Sequence, residues 1–128
     1  MTCRRDILIV EDDASIRELI SMSLTDAGFR VSAATVQGAR QLTTTKADAI
    51  IVAINSPKAT GGDVIKRLRE QFPCSVFVAI SGYFPASTQA SGGLAALLGV
   101  DRTLPKPFRM DQLIDVVTEL TSSIPGCP

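Results

Sequence analysis

Short apolar runs alternate with amphipathic stretches along this chain. Ile7-Leu-Ile-Val10 has the length and composition of a buried strand. Ser15-Ile-Arg-Glu18 then has the form of a capping box and predicts a helix start. Ile16, Leu19, Ile20, Leu24 and Ala27 recur at helical spacing and predict that helix's buried stripe. Gly28 falls where a left-handed cap would end it. A second strand is expected from Phe29 to Ala34. The helix after it, about Gln37 to Thr45, is predicted to be weak, because the β-branched run Thr43-Thr-Thr45 restricts its rotamers. Ala49 to Ile54 is apolar on both faces, as suits a central parallel strand covered by helices.

The second half repeats the alternation. Asn55 to Gly62 reads as a long turn, and a helix is predicted from about Asp63 to Gln71 with Val64, Ile65 and Leu68 inward. Ser75 to Ile80 reads as the fourth strand. The loop Ser81-Gly-Tyr-Phe-Pro85 leads to a helix containing Gly92-Gly93, which is expected to be short or broken because each glycine costs about 1 kcal/mol there. A fifth strand from Arg102 to Leu104 precedes a last helix, Met110 to Thr121, with Leu113, Ile114, Val117 and Leu120 in the core. Strict alternation of strand and helix predicts an α/β fold, a doubly wound five-stranded parallel sheet of flavodoxin-like (βα)5 type with strand order 2-1-3-4-5. One domain spans 1–128, with a core of about 6–121 and a tail, 122–128, that is expected to fray.

Composition narrows the function. With 13 basic and 13 acidic residues the net charge is zero, so no nucleic-acid footprint is expected. The basic run Lys66-Arg67-Leu68-Arg69 reads as a solvated helix face. There is no histidine, which removes the commonest general base and any Ser-His or Cys-His nucleophile pair. Cys3, Cys74 and Cys127 form no Cys-x-x-Cys pair, so neither a disulfide scaffold nor a zinc site is expected. No leader or membrane-spanning run is legible, and a cytoplasmic location is expected.

The candidate chemistry collects at the carboxyl ends of the strands, where ligands of such sheets bind. Glu11, Asp12 and Asp13 follow the first strand, and their mutual repulsion would be relieved by an oxygen-liking cation such as Mg2+. Acids in this place also serve as helix N-caps. Ser81-Gly82 follows the fourth strand and offers a hydroxyl. Lys106, held between Pro105 and Pro107, follows the fifth and offers a compact charge for phosphate or carboxylate oxygens.

Ile7-Leu-Ile-Val-Glu-Asp-Asp13, Asn55-x-Pro57 with Gly61, Ser81-Gly82 and Gly99-Val-Asp-Arg-Thr-Leu-Pro-Lys-Pro-Phe108 together resemble the chemotaxis-regulator-like receiver domain of bacterial two-component response regulators, over nearly the whole chain. The resemblance implies that Asp12, Asp13 and the Asn55 carbonyl match the Mg2+ ligands, that Ser81 matches the switch hydroxyl, and that Lys106 matches the phosphoryl-pairing lysine. It also implies two substitutions. Ala53 stands at the phosphoacceptor aspartate, and Thr103 stands at the switch aromatic.

The leading expectation is therefore a non-enzymatic pseudo-receiver of phosphorelay signalling, unable to accept phosphate at position 53. It would act as a phosphorylation-independent interaction module. No cofactor is required, and Mg2+ would bind weakly without a carboxylate at 53. The partner would be a histidine kinase or a downstream signalling protein, with neither nucleic acid nor membrane involved. Family grounds also admit a homodimer through residues 86–121. An ordinary phosphorylatable receiver with Asp replaced by Ala in the laboratory is the alternative. A flavodoxin-like cofactor-binding protein is more distant, because three acids stand where an anion would need backbone N–H groups.

Overall fold

The computed structural model describes residues 5–39, 47–53, 60–81, 100–105 and 108–122. In chain order these form β1 (Asp6–Val10), α1 (Ala14–Asp26), β2 (Arg30–Ala34), α2 (Val36–Ala39), β3 (Ala49–Ala53), α3 (Thr60–Gln71), β4 (Val76–Ser81), β5 (Arg102–Pro105) and α4 (Met110–Ser122). The strands pair in parallel throughout, in the order β2-β1-β3-β4-β5. That is the doubly wound, flavodoxin-like arrangement expected from the alternation.

Every residue of β3 is buried, because helices cover both faces of the central strand. Side chains alternate across it. Ile50 and Val52 join Leu8, Val10, Phe77 and Ala79 in a cluster with Ile65, Leu68 and Phe72 of the α3 side. Ala49, Ile51 and Ala53 join Ile7, Ile9, Val78, Ile80 and Leu104 in a second cluster, closed by Ile20 and Leu24 of α1 and by Leu113 and Val117 of α4. Ile114 and Leu120 pack on that cluster while half-buried.

Two aspartates fix strand starts. Asp48 donates its N–H to the Asp6 carbonyl at 2.7 Å, and its Oδ2 accepts the Asp6 N–H at 2.9 Å. Asp101 repeats the device on β4. Its N–H donates to the Phe77 carbonyl at 2.9 Å, and its Oδ2 accepts the Phe77 N–H at 2.8 Å. Both carboxylates satisfy backbone donors just where the ladder ends.

Several expected boundaries move. The N-cap of α1 is Asp13, not Ser15, so the capping box is not formed. Leu19 is 52% exposed and Ala27 is exposed, so the buried stripe narrows to Ile20 and Leu24 with Ile16 half-buried. Helix α3 starts at Thr60, three residues before Asp63, and takes Gly61-Gly62 into its first turn. Glycine costs a helix backbone entropy, and the packing of Ile65 and Leu68 into the core further along α3 outweighs it. Gly28 does adopt the left-handed conformation, with φ 102°. The Phe29 N–H reaches the Leu24 carbonyl at 3.1 Å and the Gly28 N–H reaches Thr25 at 3.0 Å, a complete Schellman closure. The expected helix at Gly92-Gly93, residues 40–45 of the weak helix and the tail from 123 lie outside the described residues. Among the described residues no helix is long and apolar enough to cross a membrane.

Candidate functional site

The strand register brings the predicted site residues to one edge of the sheet. Val10 of β1 is level with Val52 of β3, so Glu11 follows level with Ala53. On the other side Ala53 is level with Ile80, the residue before Ser81. Ser81 in turn ends β4 opposite Pro105. Glu11, Ala53 and Ser81 therefore stand on three adjacent strand ends. Asn55, Lys106 and the Ser81 side chain lie outside the described residues.

Ala53 is 4% exposed and packs in the cluster shared with α1 and α4. Its methyl group supplies neither a nucleophilic oxygen nor a metal ligand. Thr103 is level with Ala79, shares its sheet face and is buried. A small β-branched side chain there has no ring to swing, and buried threonine has few rotamers to exchange.

The acids divide by task. Asp13 is held at φ −75°, ψ 114°, and its Oδ1 accepts the N–H groups of Ser15 at 2.9 Å and Ile16 at 3.2 Å. It thus satisfies two of the orphan donors of α1, with a negative charge at the positive end of the helix. Glu11 is fully buried, and its Oε2 accepts the Asp13 N–H at 3.2 Å. The Glu11 N–H continues the ladder to the Ala34 carbonyl at 3.0 Å. Asp12 is exposed at the turn between them.

Two residues of this corner escaped the sequence-based assignment. Glu11 was counted among the three acids but not among the ligands. Its signal is positional, since it is the first residue past β1 and hence the one level with position 53. Arg17 had no assigned role. It lies four residues after Asp13, on the same helix face, where a cation can fold back over the first turn. Its Nη1 donates to the Glu11 carbonyl at 2.8 Å and lies 3.5 Å from that of Asp12.

Two features of the described residues work against Mg2+: position 53 carries a methyl, and the Asp13 Oδ1 is turned to the helix N–H groups. Among the described residues no group of three or more acidic, cysteine or histidine side chains is placed to hold a metal ion.

A family profile described as the response regulator receiver domain matches residues 7–118. The chain is 29% identical over 117 residues to an NtrX-like response regulator of Rickettsia conorii, covering 88% of this chain and 24% of that protein. It is 30% identical over 113 residues to the response regulator MprA of Mycobacterium ulcerans, covering 84% and 46%. The chain therefore spans less than half the length of these curated relatives. A response regulator structure from Thermotoga maritima superposes with TM-score 0.79 at 24% identity, covering 94% of this chain and all of that one, 100%. Chemotaxis response regulator CheY4 of Vibrio cholerae superposes with TM-score 0.75 at 25% identity, covering 92% and 99%.

Proposed function

Because the chain belongs to the family of response regulator receiver domains, we propose that it serves two-component signalling as a receiver that takes no phosphate at position 53 and works by protein association. The observation that carries this reading is Ala53 itself, a buried methyl at the end of β3, level with the acidic turn. Phosphoryl transfer needs an attacking oxygen held in line with the leaving group, and positioning groups alone have nothing to position without it. The apolar packing of Ala53 against the α1 and α4 side supports a strand end built to be dry.

The partner is a histidine kinase or a downstream signalling protein, recognised in one fixed state of the domain. The reading assigns the chain no turnover of its own. Incubation with acetyl phosphate and Mg2+, followed by intact mass, tests it. The expected spectrum is unchanged, and a stoichiometric gain of one phosphoryl group overturns the reading.

A further inference from the structure

We propose that the open β2 edge of the sheet pairs with the same edge of a second copy of this chain, antiparallel about a two-fold axis at Ser32, joining two five-stranded sheets into one. The inference does not depend on what stands at position 53, and it gives the chain a form of association that needs no phosphate. The parallel register shows which backbone groups β2 has spare. Arg30 is level with Asp6, Ser32 with Leu8 and Ala34 with Val10. The Arg30 N–H donates to the Arg5 carbonyl at 2.9 Å, and the Ala34 carbonyl accepts the Glu11 N–H at 3.0 Å, so Arg30, Ser32 and Ala34 bond toward β1. The N–H and C=O groups of Val31 and Ala33 therefore point out of the sheet edge. Ser32 and Ala33 are exposed, and their small side chains leave that edge open to another backbone.

Natural edge strands are commonly blunted by charge, proline or a bulge. At the opposite edge, β5 carries Arg102 and ends in Pro105. β2 has neither proline nor bulge, and its residues pair one for one with β1. Its charged residue, Arg30, is turned to Asp6, with Nε 2.9 Å from Oδ1 and Nη2 3.2 Å from Oδ2. The strand is also complementary to itself. An axis at Ser32 sets Val31 opposite the partner's Ala33, and Ala33 opposite the partner's Val31. In an antiparallel ladder these are the pairs that exchange N–H···O bonds, so every outward group of both strands is used. Arg30 then lies opposite the partner's Ala34, and no like charges meet. Ser32 faces its own copy in a non-hydrogen-bonded pair, where side chains come closest. So short a strand buries far less than the ~800 Å2 per partner of a standard interface, which makes the dimer weak and reversible.

Sedimentation equilibrium of the full chain from about 10 µM to about 1 mM reads the association. Wild type is expected to dimerise across that range. Ser32→Lys sets like charges face to face and should weaken the dimer about tenfold or more, as should Ser32→Glu, while an equimolar mixture of the two variants should associate again. Ala33→Pro removes an outward N–H, which an edge strand tolerates, and should leave a folded monomer. Amide exchange at Val31 and Ala33 should slow as the wild-type concentration rises. A wild type that stays monomeric overturns the inference, even if the edge takes an extended peptide from another protein. A dimer that Ser32→Lys leaves intact overturns it as well. If Ala33→Pro does not fold, the paired charge variants at Ser32 decide on their own.

Discussion

Asp13 shows how one carboxylate can satisfy two different readings of a sequence. As a metal ligand its charge matters, whereas as a helix cap its acceptor oxygen matters. Its Oδ1 receives the Ser15 and Ile16 N–H groups, so capping predicts that Asp13→Asn leaves stability nearly unchanged. Asp13→Ala should cost about 0.5–2 kcal/mol in urea unfolding. A large loss with Asn, together with stabilisation of wild type but not of the variant by Mg2+, would instead make Asp13 a ligand. Sequence could not choose between Ser15 and Asp13 as the cap because both residue types accept from N–H groups. The choice falls to where β1 releases the chain, and that is a property of the sheet. The same reason hid Glu11. Which of three consecutive acids lies level with position 53 depends on the register between β1 and β3, which no local pattern encodes.

At the scale of elements, strands were more legible than helix ends. β3 and β4 are short apolar runs whose neighbours turn polar, and each appears within a residue of its expected span. The start of α3 was misplaced because Gly61-Gly62 reads as a turn, while core packing of Ile65 and Leu68 carries the helix through it despite the entropy cost of glycine. Leu19 was misplaced because helical spacing alone does not say how wide the covered face is. The sheet covers the line from Ile16 through Ile20 to Leu24 and leaves Leu19 and Met22 outside. Asp101 offers the test of element joining. Its carboxylate accepts the N–H of the buried Phe77, so Asp101→Ala orphans a donor at the start of β4. The expected loss is about 1–3 kcal/mol. Amide exchange of Phe77 should speed up more than that of Ile51, which lies deep in β3. Uniform acceleration across the sheet would mean that Asp101 contributes to global stability without clipping β4 in particular.

At the scale of the whole molecule, position 53 is where the dry cluster under α1 and α4 meets the polar sheet edge. Ala53→Asp would put a carboxylate at a site that is almost fully buried, beside the buried Glu11. Desolvation and like-charge repulsion both oppose ionisation there. Without divalent cation the variant should unfold about 1–3 kcal/mol more easily than wild type. Mg2+ should recover part of that loss in Ala53→Asp and little in wild type, since a cation gains affinity only where an added oxygen faces it. The variant should also gain one phosphoryl group from acetyl phosphate, because the attacking oxygen is then present. Chemical unfolding with and without Mg2+, paired with intact mass, separates the outcomes. A variant that is destabilised, insensitive to Mg2+ and unmodified would show that this edge has lost its acceptor chemistry beyond the single side chain. A variant that takes up phosphate while wild type does not would place the whole difference on the carboxylate, with the parallel sheet and its strand ends already arranged to use it.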